Sequence, residues 1–482
     1  MKDTIKSPSL DTGIDITKMH GHMDIYLTDV KTGKVEEVHE DNMMTNALQE
    51  YFRNYGFMNY PNISLNNLVV LLLGGVMGFD DEIEENASII RVPAGKRMIF
   101  NGSVGTVNNG NPTELGSYSA TESGWQQDGS YVQTYDFSTS QANGTIACVC
   151  LTGQNYGKYG EGNTTSLTRL PQAIQIFDLI GNTPAFYCKG TIIKVDVSDS
   201  SIYTFALEDF EEEQGGEIVT VKKGVIRKYR FPITKINIKG SLQSPVLLSE
   251  TQKNIDDELK TATIMSQSVN GNLLIWNVSN GAPVWGSGDW VQYLWTITPS
   301  GNITRQTVIN TYGEDLHGLQ AAYFDGDYCF FIDAYSGVLD STTVYVWNRR
   351  TNAITSISNP GGTYSPKGGA WRTRLANAGW DIVHGSGDGR IVTSGMYQDG
   401  GNGFVVDAIL GEAWPCNRNS TLKYHQTPFP NMLLAHDKIS NEDSHIYRSQ
   451  SYIASINNLD NPVVKTSEKT MKVIYRITFD EQ

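Results

Sequence analysis

Along most of the chain, apolar residues recur at every second position in short runs. That period belongs to strands with one buried face. Met23-Asp24-Ile25-Tyr26-Leu27-Thr28 alternates in this way, Lys31-Thr32-Gly33-Lys34 has turn composition, and Val35 to His39 returns. These three pieces predict a hairpin. Residues 1–19 are polar and unpatterned and read as an N-terminal arm. After the hairpin the period changes. Asp41 or Asn42 is placed to cap one short helix, with Met44, Ala47, Leu48, Tyr51 and Phe52 at helical spacing as far as Arg53. The longest apolar run, Leu68 to Leu73, stops at Gly74-Gly75. Six residues fall far short of the 18 or more that span a bilayer, so the run predicts a buried strand and no membrane insertion. Tyr131 to Phe137 and Gly144 to Leu151 are rich in β-branched and aromatic residues and predict strands. Residues 20–168 therefore read as a β-sandwich, the platform or attachment domain. Thr470 to Phe479 is one cleanly alternating strand, and the segment 456–482 is expected to rejoin that sandwich.

Between 169 and 455 the pattern repeats. Three segments share the layout strand, tight turn, strand, longer loop, strand, turn, strand: Thr261 to Val308, Leu319 to Ser358 and Trp380 to Cys416. Their inner turns are Asn270-Gly271, Asp325-Gly326 and Asp388-Gly389; their outer turns are Ser300-Gly301, Arg350 to Asn352 and Leu410-Gly411. Asn-Gly and Asp-Gly are strong hairpin signals because the favoured two-residue turns need φ > 0. Weaker copies are read at Ala173 to Ala206 and Met432 to Ile453. Four strands per unit is the content of a propeller blade. The fold class expected is all-β: a sandwich platform, a roughly five-bladed β-propeller and one short N-terminal helix.

Composition narrows the function. The 482 residues carry 37 Lys and Arg against 52 Asp and Glu, a formal charge of −15. Nucleic acid and anionic membrane, which require concentrated positive charge, are poor partners for such a chain. Charged residues are 18%, and 47 Gly, 24 Tyr, 16 Phe and 9 Trp complete a balance that fits neither disorder nor a helical bundle. It fits an exterior-type all-β protein. Met1 to Leu10 hold no apolar core of a Sec-type signal. Cys148, Cys150, Cys188, Cys329 and Cys416 are odd in number and scattered, unlike a disulfide framework. Alternation puts Cys148 and Cys150 on one strand face, with no second ligand pair for zinc. The combination points to a virion component made in a host cytoplasm.

Three stretches carry a family resemblance: HEDNMMTNAL (39–48); GSYSATESG (116–124) with TYDFSTSQANGTIACVCLTG (134–153); and INNLDNPVVKTSEKTMKVIYRITF (456–479). Together they resemble tail, baseplate and receptor-binding or fibre structural proteins of bacteriophages, those of Gram-positive hosts above all. The resemblance covers the N-terminal third and the C-terminal segment, and leaves the repeats unassigned. It implies a homotrimeric virion protein whose partners are other proteins of the tail, baseplate or collar and a host cell-surface polysaccharide. Two other roles stay open: an architectural collar or head fibre, and a propeller glycan hydrolase (depolymerase).

Candidate chemistry is sparse. No G-x-S-x-G elbow, H-E-x-x-H, P-loop or sialidase-type Asp box occurs, so no catalytic residue, cofactor or metal site is assigned and the chain is read as a non-enzyme. Eight of the nine Trp fall between 276 and 414. Trp276, Trp295 and Trp347 sit in strand-like segments and read as core. Trp285, Trp290 and Trp371 sit in Gly-rich connections, where rings can stack on sugar faces. Asp325 and Asp327, beside an inner turn, are the polar candidates for glycan binding, although Asp there is first a turn former. His20-x-His22 reads as two exposed histidines ahead of the first strand, and His39 shows no ligand spacing. The acidic run Asp209 to Glu213 reads as a solvated loop.

Overall fold

From Gly21 to Thr28, buried and half-exposed side chains alternate without a break, as do those from Met471 to Ile477. These two segments form the centre of the first of two folded units. The computed structural model describes residues 14–48, 65–154, 156–158, 160–161, 164–169, 189–196, 199, 201–230, 246–261, 263–269, 271–278, 291–309, 319–333, 343–358, 382–393, 403–416, 422–426, 432–437, 444–449 and 452–481. Contacts divide the chain into residues 1–163 with 450–482, and residues 164–449.

The chain opens with β1 (Ile14–Asp29), β2 (Val35–Asp41) and β3 (Met43–Met44), continues through α1 (Leu65–Leu73), and then lays down β4 (Gly75–Phe79), β5 (Met98–Ser103), β6 (Ser117–Tyr118), β7 (Gly124–Trp125), β8 (Tyr131–Phe137) and β9 (Gly144–Thr152). The second unit runs from β10 (Thr164–Arg169) through β11 (Thr191–Asp196), β12 (Ser201–Gln214), β13 (Glu217–Arg230), β14 (Val246–Lys253), α2 (Asp257–Thr261), β15 (Thr263–Val269), β16 (Asn272–Val278), β17 (Val291–Ile297) and β18 (Ile303–Ile309). It continues with β19 (Leu319–Asp325), β20 (Tyr328–Asp333), β21 (Thr343–Asn348), β22 (Ala353–Ser358), β23 (Ile382–Gly385), β24 (Arg390–Thr393), β25 (Gly403–Asp407) and β26 (Glu412–Cys416). It ends with β27 (Leu422–Gln426), β28 (Met432–Asp437) and β29 (Ser444–Ser449), after which β30 (Ser455–Lys465) and β31 (Lys469–Glu481) return to the first unit. The protein is thus nearly all β, in antiparallel sheets.

In the first unit one sheet has the order β2-β1-β31-β8-β6, with β7 also on β8, and the other β3-β30-β9-β4-β5. The inner-facing Met23, Ile25, Leu27, Tyr135, Phe137, Val473 and Tyr475 pack on Val76, Phe100, Ile146, Val149 and Leu151 of the second sheet. The two C-terminal strands occupy interior positions, so the sandwich core is completed only by the end of the chain. Tyr475 ties the sheets together: its hydroxyl lies 2.6 Å from Ser455 Oγ, and Asn457 Nδ2 donates to it at 3.2 Å. Cys148 and Cys150 do share one buried face of β9, their Sγ atoms 3.7 Å apart.

Several expectations for this unit are corrected. Leu65–Leu73 is a helix, not a strand. Val69, Leu72 and Leu73 bury on the sandwich core, and the carbonyls of the last turn find partners beyond the helix. Gln154 N–H donates to Leu71 O, the Tyr452 hydroxyl to Leu72 O and Gln133 Nε2 to Leu73 O. A six-residue apolar run satisfies either period, and these long-range donors favour the helix. The helix expected from Asp41 or Asn42 starts later. Met43 and Met44 pair with Ile456 and Ser455, helical backbone begins at Ala47, and residues 49–64 lie outside the described set. Part of the expected arm is strand: β1 begins at Ile14, and a register shift between Asp15 and Met19 breaks the alternation that would have revealed it.

Among the described residues the second unit holds five four-stranded sheets: β11–β14, β15–β18, β19–β22 and β23–β26, each in chain order, and β10-β29-β28-β27. The fifth joins the first strand of the unit to its last three. The β15–β18 and β19–β22 sheets are buried on both faces. Leu273, Ile275, Trp295 and Ile297 pack with Phe205 and Ile226 of β12 and β13, while Leu274 and Leu294, on the opposite face, meet Phe324, Cys329 and Trp347. Tyr323, Phe330, Val344 and Val346 then turn to Ile391 and Val406. Two-sided burial explains the unbroken apolar run Leu273-Leu274-Ile275. Trp295 and Trp347 are core, with indole N–H groups donating to Asp256 Oδ2 at 2.9 Å and Asn352 Oδ1 at 3.0 Å.

The flanking copies sit differently from expectation. The first complete sheet spans 191–253 rather than Ala173 to Ala206, and residues 170–188 lie outside the described set. The last copy starts earlier, at Leu422, and borrows β10. Asp209 to Glu213 is strand, not loop.

Candidate functional site

Of the five residues assigned to glycan contact, Trp285, Trp290 and Trp371 lie outside the described residues. The other two are engaged in holding the fold. Asp325 pairs with Tyr328, so the tight turn is Gly326-Asp327 rather than Asp325-Gly326. The Asp325 side chain is 5% exposed and reaches from β19 to the β23–β24 loop. Gly387 N–H donates to Oδ1 at 2.8 Å; Gly389 N–H (2.8 Å), Arg390 N–H (3.0 Å) and the Ser386 hydroxyl (3.2 Å) donate to Oδ2. Burial raises its carboxyl pKa against the pull of these donors. The approach demands glycine: a Cβ on Gly385 would stand 2.0 Å from Asp325 Oδ1, and one on Gly326 2.1 Å from Gly387 O. Asp327 is 37% exposed and pairs with Arg350 and, at 3.6 Å, Arg349.

The acidic run lies on a long ribbon. β11 stops pairing at Phe205 and β14 at Gly224, whereas β12 and β13 pair on from Leu207–Gly224 to Gln214–Glu217. Gly215 and Gly216, with φ of +65° and +89°, close the ribbon in the two-residue turn such a twist requires. One ribbon face carries Phe210, Val219 and Val221, with Lys223 Nζ 5.8 Å from the Phe210 ring centre. The other carries Asp209, Glu211 and Glu213, and Ile218 is 75% exposed near the tip. At the ribbon's base the buried Arg227 donates twice to Glu208, at 2.6 and 2.8 Å, and once to Glu250 at 2.7 Å.

The Arg227 hydrogen bonds hold the Glu208 carboxyl below its ordinary range. A depressed folded-state pKa gives stability that is complete above the unfolded value, about 4.3, and is lost as pH falls through the folded one. Arg227→Met is therefore expected to lower the unfolding midpoint at pH 7, and the gap from wild type is expected to narrow as pH falls from about 5 to 3. Thermal melts of both proteins across that range check it; a gap that is constant with pH would mean packing, not charge, is what Arg227 supplies.

A third cluster lies on the outward face of the first unit. Strand register pairs Asp24 with His39 and His22 with Asp41. His39 Nδ1 is 2.6 Å and His22 Nε2 3.0 Å from the same oxygen, Asp24 Oδ1. The second nitrogen of each ring also faces a carboxylate: His22 Nδ1 is 2.9 Å from Asp41 Oδ1, and His39 Nε2 is 3.6 Å from Glu37 Oε2. The rings lie parallel, 9° between planes, with centres 6.3 Å apart. His22 thus sits within β1 and not ahead of it, and His39, set aside in the sequence, is its neighbour. The missed signal was the hairpin register, since the turn at Lys31 to Lys34 already places His39 opposite Asp24. On the same outward side, a cavity of about 860 Å³ is lined by polar groups including Asn108, Asp136, Gln141 and Lys472.

No protein-family model and no curated protein matches the chain. Among solved structures, the P. putida toluene transporter TodX aligns at 11% identity over 96% of this chain and 90% of that one, with a TM-score of 0.08. So low a score carries no argument about fold or function. Among the described residues no helix is long and apolar enough to cross a membrane.

Proposed function

We propose that the chain is a bacteriophage virion structural protein, tail-associated, which attaches through its sandwich and presents the repeat unit to a host cell-surface glycan. One observation carries the reading most: the sandwich is interrupted after β9 by a separately folded unit and then completed by β30 and β31. Such a layout suits an anchoring platform with a receptor-facing module spliced into it. The three stretches with a phage-protein resemblance supply strands of this sandwich, β2, β3, β8, β9, β30 and β31 among them.

In this reading the five sheets are blades of a propeller. Support comes from the fifth sheet, where the first strand of the unit completes a sheet begun by the last three, a natural latch for a ring. Trp285, Trp290 and Trp371 are the proposed sugar-stacking rings. Asp325 and Asp327 drop out of the glycan set because their carboxylates are already engaged. The charge of −15 favours a neutral polysaccharide over an anionic teichoic acid. A homotrimer would supply avidity to weak single sites.

The test has two parts. The chain is expected among the proteins of purified virions, and the purified full chain is expected to bind host cell walls and reduce adsorption of that phage. A virion protein that neither binds walls nor competes would be architectural. Release of reducing ends from the walls would make it a depolymerase.

A further inference from the structure

We propose that His22, Asp24 and His39 form a binding site for one zinc-class divalent transition-metal ion, pinning the edge strand β2 to β1. The inference does not depend on the virion reading. Three donor atoms, His22 Nε2, His39 Nδ1 and Asp24 Oδ1, lie within 4.8 Å of one another. Two imidazoles and a carboxylate, with the fourth position left to water, form a donor set that suits Zn²⁺. Bonds of about 2.0–2.2 Å in a tetrahedron put ligand atoms roughly 3.3 Å apart. The two Asp24 contacts, at 2.6 and 3.0 Å, need to open by about 0.7 and 0.3 Å to reach that separation. The imidazole side chains are 43% and 50% exposed, so each can turn that far, and an ion reaches them from solvent.

The outer contacts favour the same assignment. A metal-bound imidazole uses its second nitrogen as an N–H donor, and a carboxylate there orients the ring and strengthens the ligand. Asp41 stands in that place for His22 and Glu37 for His39. Both rings therefore have a ligating nitrogen on Asp24 and an outer nitrogen on a separate carboxylate. Asp24, Glu37 and Asp41 bring negative charge to the site. The nearby cation does not fill it: Arg476, the β31 partner of His22, is drawn to Asp128 Oδ2 at 3.2 Å and Ser130 Oγ at 2.7 Å. Backbone pairing holds the cluster in place, since all four ligand and orienting positions on the Asp24–His39 and His22–Asp41 pairs belong to one continuous ladder.

The experiment is calorimetric titration of ZnCl₂ into the full chain after EDTA treatment and exchange into metal-free buffer. One ion per chain is expected. His22→Ala and His39→Ala should each weaken binding by about 100-fold or more, and Asp41→Asn, which alters only an orienting group, by roughly 10–100-fold. His20→Ala serves as the control and should bind as wild type does. Zinc should raise the melting temperature of wild type but not of His39→Ala, with the EDTA-treated variants melting within a few degrees of wild type to show that they fold. Co²⁺ in place of zinc should give the intense visible bands of a four-coordinate ion. No uptake by wild type, or uptake unchanged in His22→Ala or His39→Ala, would overturn the site.

Discussion

Asp325→Ala is expected to destabilise the repeat unit by about 2–4 kcal/mol, because it strands the buried Gly389 N–H and the part-buried Gly387 N–H, at roughly 1–3 kcal/mol per stranded group, while Arg390 N–H keeps Ser386 Oγ and the Ser386 hydroxyl keeps Asp388 as a second partner. The donors belong to Ser386, Gly387, Gly389 and Arg390, between and at the start of strands of the β23–β26 sheet, whereas Asp325 ends β19 of the preceding sheet. Removing the carboxylate also removes the cost of burying it, which is why the total stays below the sum of the parts. Asp325→Asn keeps one acceptor oxygen but turns an NH₂ toward donors, so an intermediate loss is expected. Asp327→Ala, at the exposed neighbouring position, should cost no more than about 1 kcal/mol, since its arginine pairs are surface pairs. Denaturant unfolding of the three variants checks the order. Equal midpoints for Asp325→Ala and Asp327→Ala would show that the clamp is not what joins these sheets.

Arg390→Met is expected to cost a similar amount for a different reason. Arg390 NH1 lies 3.5 Å from Asp407 Oδ2, with the side chains 2% and 0% exposed, and the guanidinium stacks 4.8 Å from the Trp414 ring centre. Taking away the cation leaves a fully buried carboxylate without its counter-charge, typically a loss of about 3–5 kcal/mol. Asp407 also shapes the turn between β25 and β26, where its Oδ1 accepts Ile409 N–H at 3.0 Å and Leu410 N–H at 2.8 Å. Asparagine can retain that acceptor while losing the charge. Arg390→Met combined with Asp407→Asn is therefore expected to recover at least half of the stability lost in the single variant. A double variant no more stable than Arg390→Met alone would falsify the ion pair as the source of the loss.

Sequence pattern alone could not separate the two carboxylates it assigned to glycan contact. An Asp beside a Gly in a hairpin has the same local appearance whether it faces solvent or a neighbouring sheet. Asp325 and Asp327 are two residues apart, yet one is 5% exposed and the other engages arginines at the surface. Only the position of the β23–β24 loop separates them. The histidines failed in the opposite direction. His22 and His39 are 17 residues apart, too far for any spacing rule, but two pairs of one ladder bring them onto a single carboxylate. Local pattern was reliable where local forces decide. Gly271, Gly301, Gly326, Gly389 and Gly411 all have φ between +61° and +115°, in the hairpin turns or directly beside them.

Strand content, the Asn270-Gly271 turn, the core role of Trp295 and Trp347 and the shared face of Cys148 and Cys150 were all readable from amino-acid order. Each depends on neighbours a few positions away: the two-residue period of a strand, or the φ > 0 that glycine alone adopts freely. The helical state of Leu65–Leu73 and the Asp325 clamp were settled by tertiary structure alone. In each, the deciding partner comes from a different segment. For the helix it is Tyr452, which donates across 380 positions; for the clamp it is a loop 62 to 65 positions ahead. Apolar period reports which side of a strand is buried, but not what it is buried against, and that second fact assigns the polar groups their work.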